Sequence, residues 1–430
     1  MHINADLHSH SGYAGGVGHI SLTAIDEMMA LKGIDVVGTG DCLHPSWSSY
    51  LEGHLEEVAS GIFSFEGRDT YFLLQSEVIL TCPVGKGRKA VHTVLLFPSF
   101  DTIQQCRTLL DRWDVKNTIG RPFIICEDPS DVSRKLFSLR DIDSHIEIIP
   151  AHVLTPDGIY GSNRPITYMD EIFGEFSPHI SAIETGLSAD PGLLRFIPEL
   201  KDRTWISNSD AHSPHLHRMG REFTTFDVPS VTYAHIIHAI RENAVVRTAE
   251  FHPAEGRYFL TGHRAHRKGH DDSYCFFSPD FVPVDHICPI CSKQLTIGVL
   301  ERTLILSREQ GYHETFPQED REKRNYINMI PLAEIIARGL GISTITGKKV
   351  QTEYRRIVEL THSECELWFM DEETIVDTLR GYTNDQIFNA ILSIKRGEFG
   401  FYPPGFDGVY GQLVLGGEVD VQNLYEITTR

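Results

Sequence analysis

The chain has 430 residues, of which 41% are hydrophobic and 23% charged, and its formal net charge is −20. That length suits two or three globular domains, and the acidic balance argues against a general nucleic-acid coat protein, though not against a nuclease whose bound cations set the local potential. No apolar stretch reaches the roughly 20 residues of a membrane helix, no secretory signal is expected, and eight mostly scattered cysteines suit a reducing cytoplasm better than a disulfide framework.

The first segment, ADLHSHSGYAGG (5–16), sets His8 and His10 one residue apart. On a strand, residues i and i+2 face the same way, so both imidazoles share one face. SLTAIDEMMALKG (21–33) predicts a helix: Ser21 caps it, Leu22, Ile25 and Met29 fall at helical spacing, and Gly33 stops it. IDVVGTGD (34–41) is a buried strand ending at Asp41, with His44 just beyond. YFLLQSEVIL (71–80) carries Glu77, VHTVLLF (91–97) begins beside His92, and HIEIIPAH (145–152) ends at His152. SAIETG (181–186) is another strand. TWISNSDAH (204–212) closes with Asp210 and His212 in the i, i+2 spacing that began the chain. Strands alternating with helices to about residue 250 predict an α/β fold of parallel strands, a barrel or a distorted version of one.

Near residue 250 the texture changes to a His-, Cys-, Gly- and Pro-rich stretch. From about 300 the chain turns largely helical, with helices predicted over 331–341 and 384–397. The predicted plan is an α/β unit over 1–250, a small metal-binding module over 251–300 and a mainly helical domain over 301–430.

The C-terminal strand ends of an α/β barrel meet at one mouth. There His8, His10, Asp41, Glu77, His92, His152, Asp210 and His212 would converge. Buried imidazoles and carboxylates are costly unless paired or metal-bound. A His/Asp/Glu set without cysteine suits Zn²⁺, Mn²⁺ or Mg²⁺ at a hydrolytic site, and a carboxylate such as Glu77 can bridge two of them. In the second segment His263 and His266 form H-x2-H, and Cys288 and Cys291 form C-x2-C. Two such pairs have the spacing of a structural zinc site, a closed set whose role is folding. His270, His286 and Cys275 stand nearby as competing donors.

ADLHSHSGY, VVGTGDCLHP, Glu77, His92, PAH ending at His152, and SNSDAH resemble the successive motifs of the PHP (polymerase and histidinol phosphatase) superfamily. The resemblance implies a distorted seven-stranded barrel with a two- or three-metal phosphoesterase site. It places His8, His10, Glu77 and Asp210 on one cation, Glu77, His92 and His152 on a second, and Asp41 with His212 on a third. It also makes Asp210, Glu77, His8 and His10 the catalytic set. Two departures stand out. Asp41 sits where histidine is usual, and Gly16 where relatives carry another ligand, leaving the third site short or supplied by His44 or His19.

Beyond the barrel, ETGLSADP (184–191), QLTIGVLERT (294–303) and PGFDGVYG (404–411), in the order barrel, zinc module, helical domain, are similar to the endonuclease Q family over essentially the full length. There the zinc site normally opens with two cysteines, which His263 and His266 replace here. The likeness implies a DNA repair endonuclease that recognises deaminated bases (uracil, hypoxanthine, xanthine) or abasic sites and nicks on the 5′ side. It implies two or three divalent cations in the barrel and one structural zinc.

Such an enzyme takes a nucleotide out of the stack. Tyr13 could stack on it, and Gly186 and Ser188 could meet a base edge, though each also reads as core or an ordinary turn. Lys348 and Lys349, with Lys86–Lys89, Arg264–Lys268 and Arg355–Arg356, are phosphate-contact candidates or solvated faces. GLGISTITGKKV (339–350) lacks the spacing and the Ser or Thr of a nucleotide-binding loop, so ATP use is not expected. No clear sliding-clamp peptide is visible at the C-terminus. A PHP-type phosphatase acting on a small phosphomonoester and a non-catalytic damage binder are the competing readings.

Overall fold

Eleven strands form one mixed sheet in the computed structural model, which describes residues 1–15, 18, 20–312, 325–417 and 419–428. Gly16 and His19 lie outside the described residues. The first strand, His2–Asp6, sits inside the sheet, parallel to Val36–Gly38 and antiparallel to Phe223–Asp227. Helix Leu22–Lys32 joins the two parallel strands as the sequence predicts: Ser21 Oγ accepts from Ala24 N, and Gly33, at φ +80°, ends it. A side chain at Gly33 would be strained by that φ and would lie 2.4 Å from Ser363 Oγ.

The sheet departs from an all-parallel ring. Segments 71–80 and 91–97 are one antiparallel hairpin, Tyr71–Val84 against Gly87–Phe97, paired without a break from Leu74↔Phe97 to Val84↔Gly87. A tight turn can join antiparallel neighbours only, and the glycines around Lys86 supply one. A second hairpin, Leu55–Ala59 with Ile62–Phe65, lengthens the sheet beyond the seven strands the resemblance implied. Ala182–Glu184 and Thr204–Ile206 form a separate parallel pair.

The regions beyond residue 250 interlock with the sheet rather than following it as separate pieces. Tyr326–Asn328 pairs in parallel with Val245–Glu250 at the sheet edge. The module's own sheet is Thr261–His263, Tyr274–Phe277 and Tyr425–Thr428, so its third strand comes from near the chain's end. Helices Leu332–Gly339, Lys348–Thr361, Glu364–Phe369, Glu372–Leu379 and Asp385–Lys395 make the C-terminal region helical. Their apolar faces join the core that backs the sheet. One buried ion pair crosses between them: Lys32 Nζ lies 2.6 Å from Glu364 Oε2, and Glu364 also accepts from Tyr354 Oη (2.6 Å) and Leu332 N (2.8 Å). Removing either charge would leave the other buried and unpaired, at a cost of about 3–5 kcal/mol. No helix among the described residues is long and apolar enough to cross a membrane.

Candidate metal centre

Two short segments lie side by side at the heart of the site. Ser9 and Ala211 form a parallel bridge, and His10 N donates to Ala211 O at 3.0 Å. This aligns the His8/His10 pair with the Asp210/His212 pair. His8 and His10 are fully buried, and His10 stacks on His212 with centroids 4.3 Å apart. Asp210 leaves the strand direction at φ +45°, as do His152 (+30°) and Asp41 (+45°). Asp and His tolerate this left-handed region better than most residues. Three strand ends therefore turn their side chains inward through a local backbone reversal.

The hairpin supplies the rest. Glu77 lies opposite Val94, and His92 opposite Ile79, which makes Glu77 and His92 diagonal neighbours on one face. Glu77 Oε1 is 2.6 Å from His92 Nδ1 and 3.6 Å from His152 Nε2. Its other oxygen, Oε2, is 3.5 Å from His10 Nε2, while Asp210 Oδ1 is 3.1 Å from His10 Nε2 and 3.6 Å from His8 Nε2. His8, His10 and Asp210 form one donor group, and Glu77, His92 and His152 a second. His8 Nε2, His10 Nε2, Glu77 Oε2 and Asp210 Oδ1 are all buried without a hydrogen-bond partner. Such atoms are costly alone and are suited to a shared cation. The two donor groups fit divalent cations, and Glu77 Oε2 faces the first group through His10.

Behind each ring stands a brace. His8 Nδ1 meets Glu184 Oε1 at 3.0 Å, and Glu184 also accepts from Asn208 Nδ2 and His152 N, both at 2.9 Å. His10 Nδ1 meets Asp41 Oδ1 at 3.1 Å, and His152 Nδ1 meets Thr155 Oγ1 at 2.6 Å. Such partners fix which ring nitrogen faces a metal and raise its basicity. Burial opposes charge on both histidines, yet Glu184 and Asp210 hold His8 up at about 9, and Asp41 and Asp210 hold His10 up at about 10. Burial likewise opposes the charge of Glu77 and Asp210, but the surrounding histidines keep both carboxyls below their ordinary range.

Glu184 was not singled out from the sequence. Its only signal was a carboxylate inside the apolar strand SAIETG. Asp41 was expected as a ligand with His212, but both its oxygens are engaged. Ser11 N and Oγ donate to Oδ2 at 2.7 and 2.6 Å, and His10 holds Oδ1. Asp41, His44 and His212 belong to no donor group of three among the described residues. His44 instead stacks on Tyr13 at 4.3 Å. Gly40, at φ +65°, packs tightly on the first segment, since a Cβ there would lie 2.9 Å from the His10 backbone. Gly186 has a similar steric role, since its Cβ would lie 2.3 Å from His152 Cβ.

Beside the donors opens a cleft of about 390 Å³, within the size range of small-molecule sites. Its walls include His92, Arg121, His152, Ser188, Asp210 and His212, and also Arg218, Arg221, Arg257, Tyr258 and Tyr410. The last five went unseen in the sequence because they come together only through long-range folding. Arg218 lies over the Tyr410 ring at 4.6 Å. Burial raises the Tyr410 phenol, but Arg221 and Arg218 bring it below its ordinary value. Tyr410 belongs to PGFDGVYG, so the distant C-terminal loop completes the cleft. Lys348 and Lys349 are exposed at the start of their helix and do not line it.

The second candidate centre corrects one ligand. His263, His270, Cys288 and Cys291 offer donor atoms within 4.8 Å of one another. His270 Nε2 is 3.2 Å from Cys288 Sγ, and His263 Nδ1 is 3.5 Å from Cys291 Sγ. His266 was expected in place of His270. It sits at φ +58° with its side chain 79% exposed, facing Asp272. The turn between the module's first two strands carries it outward, and His270 Nδ1 is anchored by Ser273 O at 3.0 Å. Two thiols and two imidazoles within that distance fit a closed tetrahedral zinc set.

No family model matches the chain. Two solved structures of similar architecture cover 96% of it. One is the lesion-specific endonuclease PfuEndoQ from Pyrococcus furiosus, with TM-score 0.77, 28% identity and 96% of that chain covered. The other is endonuclease Q in complex with a 27-mer duplex carrying an abasic lesion at its active site, with TM-score 0.80, 27% identity and 97% covered. Over nearly its whole length the chain is similar to endonuclease Q. Two curated relatives of the chain are themselves uncharacterized. A Methanocaldococcus jannaschii protein is 30% identical over 250 residues, which is 57% of this chain but 29% of that protein. YqxK of Bacillus subtilis is 26% identical over 362 residues, covering 80% and 84%.

Proposed function

We propose that this chain is a metal-dependent DNA repair endonuclease that cuts the phosphodiester 5′ to a damaged nucleotide, either a deaminated base (uracil, hypoxanthine or xanthine) or an abasic site. The observation that carries this reading is the convergence of four unpartnered buried atoms, His8 Nε2, His10 Nε2, Glu77 Oε2 and Asp210 Oδ1, on an arginine-lined cleft that Asp210 borders. Its support from outside is the likeness to a lesion-specific endonuclease and to a duplex complex of the same family.

In this reading His8, His10, Asp210 and Glu77 hold one divalent cation, and Glu77, His92 and His152 a second. The cations, when bound, supply Lewis acidity and lower the pKa of water toward neutrality. Glu184, Asp41 and Thr155 keep the imidazoles turned toward them. Arg218, Arg221 and Arg257 give the cleft the positive charge that phosphate oxygens need. Tyr258 and Tyr410 offer flat faces to a nucleotide drawn out of the stack. Hydrolysis places the oxygen of water on phosphorus and breaks the P–O3′ bond. One proton of water ends on O3′ and the other passes to solvent, leaving a 3′-hydroxyl and a 5′-phosphate on the lesion nucleotide. His263, His270, Cys288 and Cys291 hold a structural zinc that takes no part in the chemistry.

An end-labelled duplex with one deoxyuridine, deoxyinosine, deoxyxanthosine or abasic site, incubated with Mg²⁺ or Mn²⁺, tests this. One nick 5′ to the lesion is expected. Intact duplex on every lesion, with metal content confirmed, rejects it. Turnover of a phosphomonoester without nicking selects the small-molecule phosphatase.

A further inference from the structure

Asp41, which the family resemblance would set on a third cation, is closed in by its neighbours. Asp41 spends both oxygens on His10 and Ser11, and Gly120 packs directly against it, where a Cβ would lie 2.4 Å from Asp41 Cγ. Gly120 N donates to Tyr13 O at 2.6 Å, which seats its loop over the His10–Tyr13 turn. The next residue is Arg121. Its Nη1 stands 3.7 Å from Glu77 Oε2, and its Nε donates to Ala14 O at 3.3 Å. The side chain is 24% exposed and lines the cleft together with His92, His152, Asp210 and His212.

We propose that Arg121 is a catalytic residue of the nicking reaction, its guanidinium binding a non-bridging oxygen of the scissile phosphate in a centre where Asp41 leaves no oxygen for a third cation. The proposal rests on the endonuclease reading above. A guanidinium stays charged at any working pH and presents five N–H donors in a planar fork that matches phosphate oxygens. Only Nε–H of Arg121 is hydrogen-bonded among the described residues, because the approach to Glu77 is beyond hydrogen-bond length. Among the described residues the two Nη groups carry no hydrogen bond, and Arg121 lines the cleft. Attack on phosphorus builds negative charge on the non-bridging oxygens, and a fixed positive group beside them stabilises that charge without reorganising. Nothing is transferred to or from Arg121 in the step.

The test uses the full chain and its Arg121→Met and Arg121→Lys variants, each assayed for metal content, melting temperature, and kcat and KM on a deoxyuridine duplex. The wild type should carry about three ions per chain, two at the Glu77 centre and one in the His/Cys module. Arg121→Met should keep that ion count and melting temperature while kcat falls on the order of 10²–10³-fold. Arg121→Lys should recover part of the loss, since it restores the charge without the fork. Three ions at the Glu77 centre of the wild type overturn the proposal. So does Arg121→Met with kcat within about twofold of wild type, or a rate that falls only in step with lost metal or lost fold. A wild type that nicks no lesion duplex overturns the endonuclease reading and this proposal together, whereas a nicking wild type with an indifferent Arg121→Met overturns this proposal alone.

Discussion

The molecule holds histidines for metal in two places, and it braces them differently. At the Glu77 centre His8 and His10 are backed by carboxylates, Glu184 and Asp41. In the module His263 and His270 are backed by the backbone carbonyls of Gln294 and Ser273. A carboxylate brace makes an imidazole more basic and adds charge to a donor set of His and acid alone. A thiol pair already brings that charge once it binds metal, so a neutral carbonyl suffices. The first centre also borders the cleft and leaves room beside its donors, while the second is sealed by four protein donors. On the proposed function, the brace separates the centre that would react from the one that would hold the fold.

Breaking the reactive centre should have the largest effect. Asp210→Ala removes the oxygen that faces both His8 and His10, and it should abolish nicking while circular dichroism stays native. Cys288→Ser attacks the other centre. It should release one equivalent of zinc and lower the melting temperature, with nicking lost only as the chain unfolds. Glu184→Gln sharpens the comparison, because it leaves a brace of the same shape without its charge. Affinity for the cation at His8 should weaken about 10–100-fold, read by metal titration.

A smaller effect belongs to Glu250, buried at the end of strand Val245–Glu250. Burial pushes the Glu250 carboxyl up from 4.5 to about 8, and it accepts from Thr185 Oγ1 and Ser207 Oγ. The folded chain therefore keeps a proton that the unfolded chain loses between those values. The stabilisation is complete below the unfolded value and declines as pH rises through about 8. In Glu250→Gln the melting temperature should vary less across that window. The smallest effect is expected from His266→Ala, which should leave zinc content unchanged if His270 is the fourth donor.

Sequence patterns carried the ligands further than the braces. His8, His10, Glu77, His92, His152 and Asp210 each sit in or beside an apolar strand, where an acid or imidazole stands out. All six meet in the two donor groups. Spacing does not distinguish a ligand from the residue behind it, which is why Asp41 looks like a donor and Glu184 carries no mark of its role. The same limit produced His266: H-x2-H spacing takes no account of a turn that carries one histidine out and brings His270 back. The antiparallel pairing of the long hairpin is not written in its two apolar runs, which suit a parallel strand equally well. Arg121, Arg218, Arg257 and Tyr410 carry no local signal, since their meaning comes from residues up to hundreds of positions away.

The module's third strand has a consequence for how the chain is made. Tyr274–Phe277 receives its outer partner only from Tyr425–Thr428. From 277 to 425 is 425 − 277 = 148 residues, which at roughly 5–20 residues per second is about 7–30 seconds of synthesis. For that interval the strand's edge stands open on the nascent chain, a site for mispairing. The donors from His263 to Cys291 are all complete long before. A cation captured there would hold the hairpin in register until its partner leaves the ribosome, so zinc supply during translation, rather than afterwards, should govern the yield of native protein.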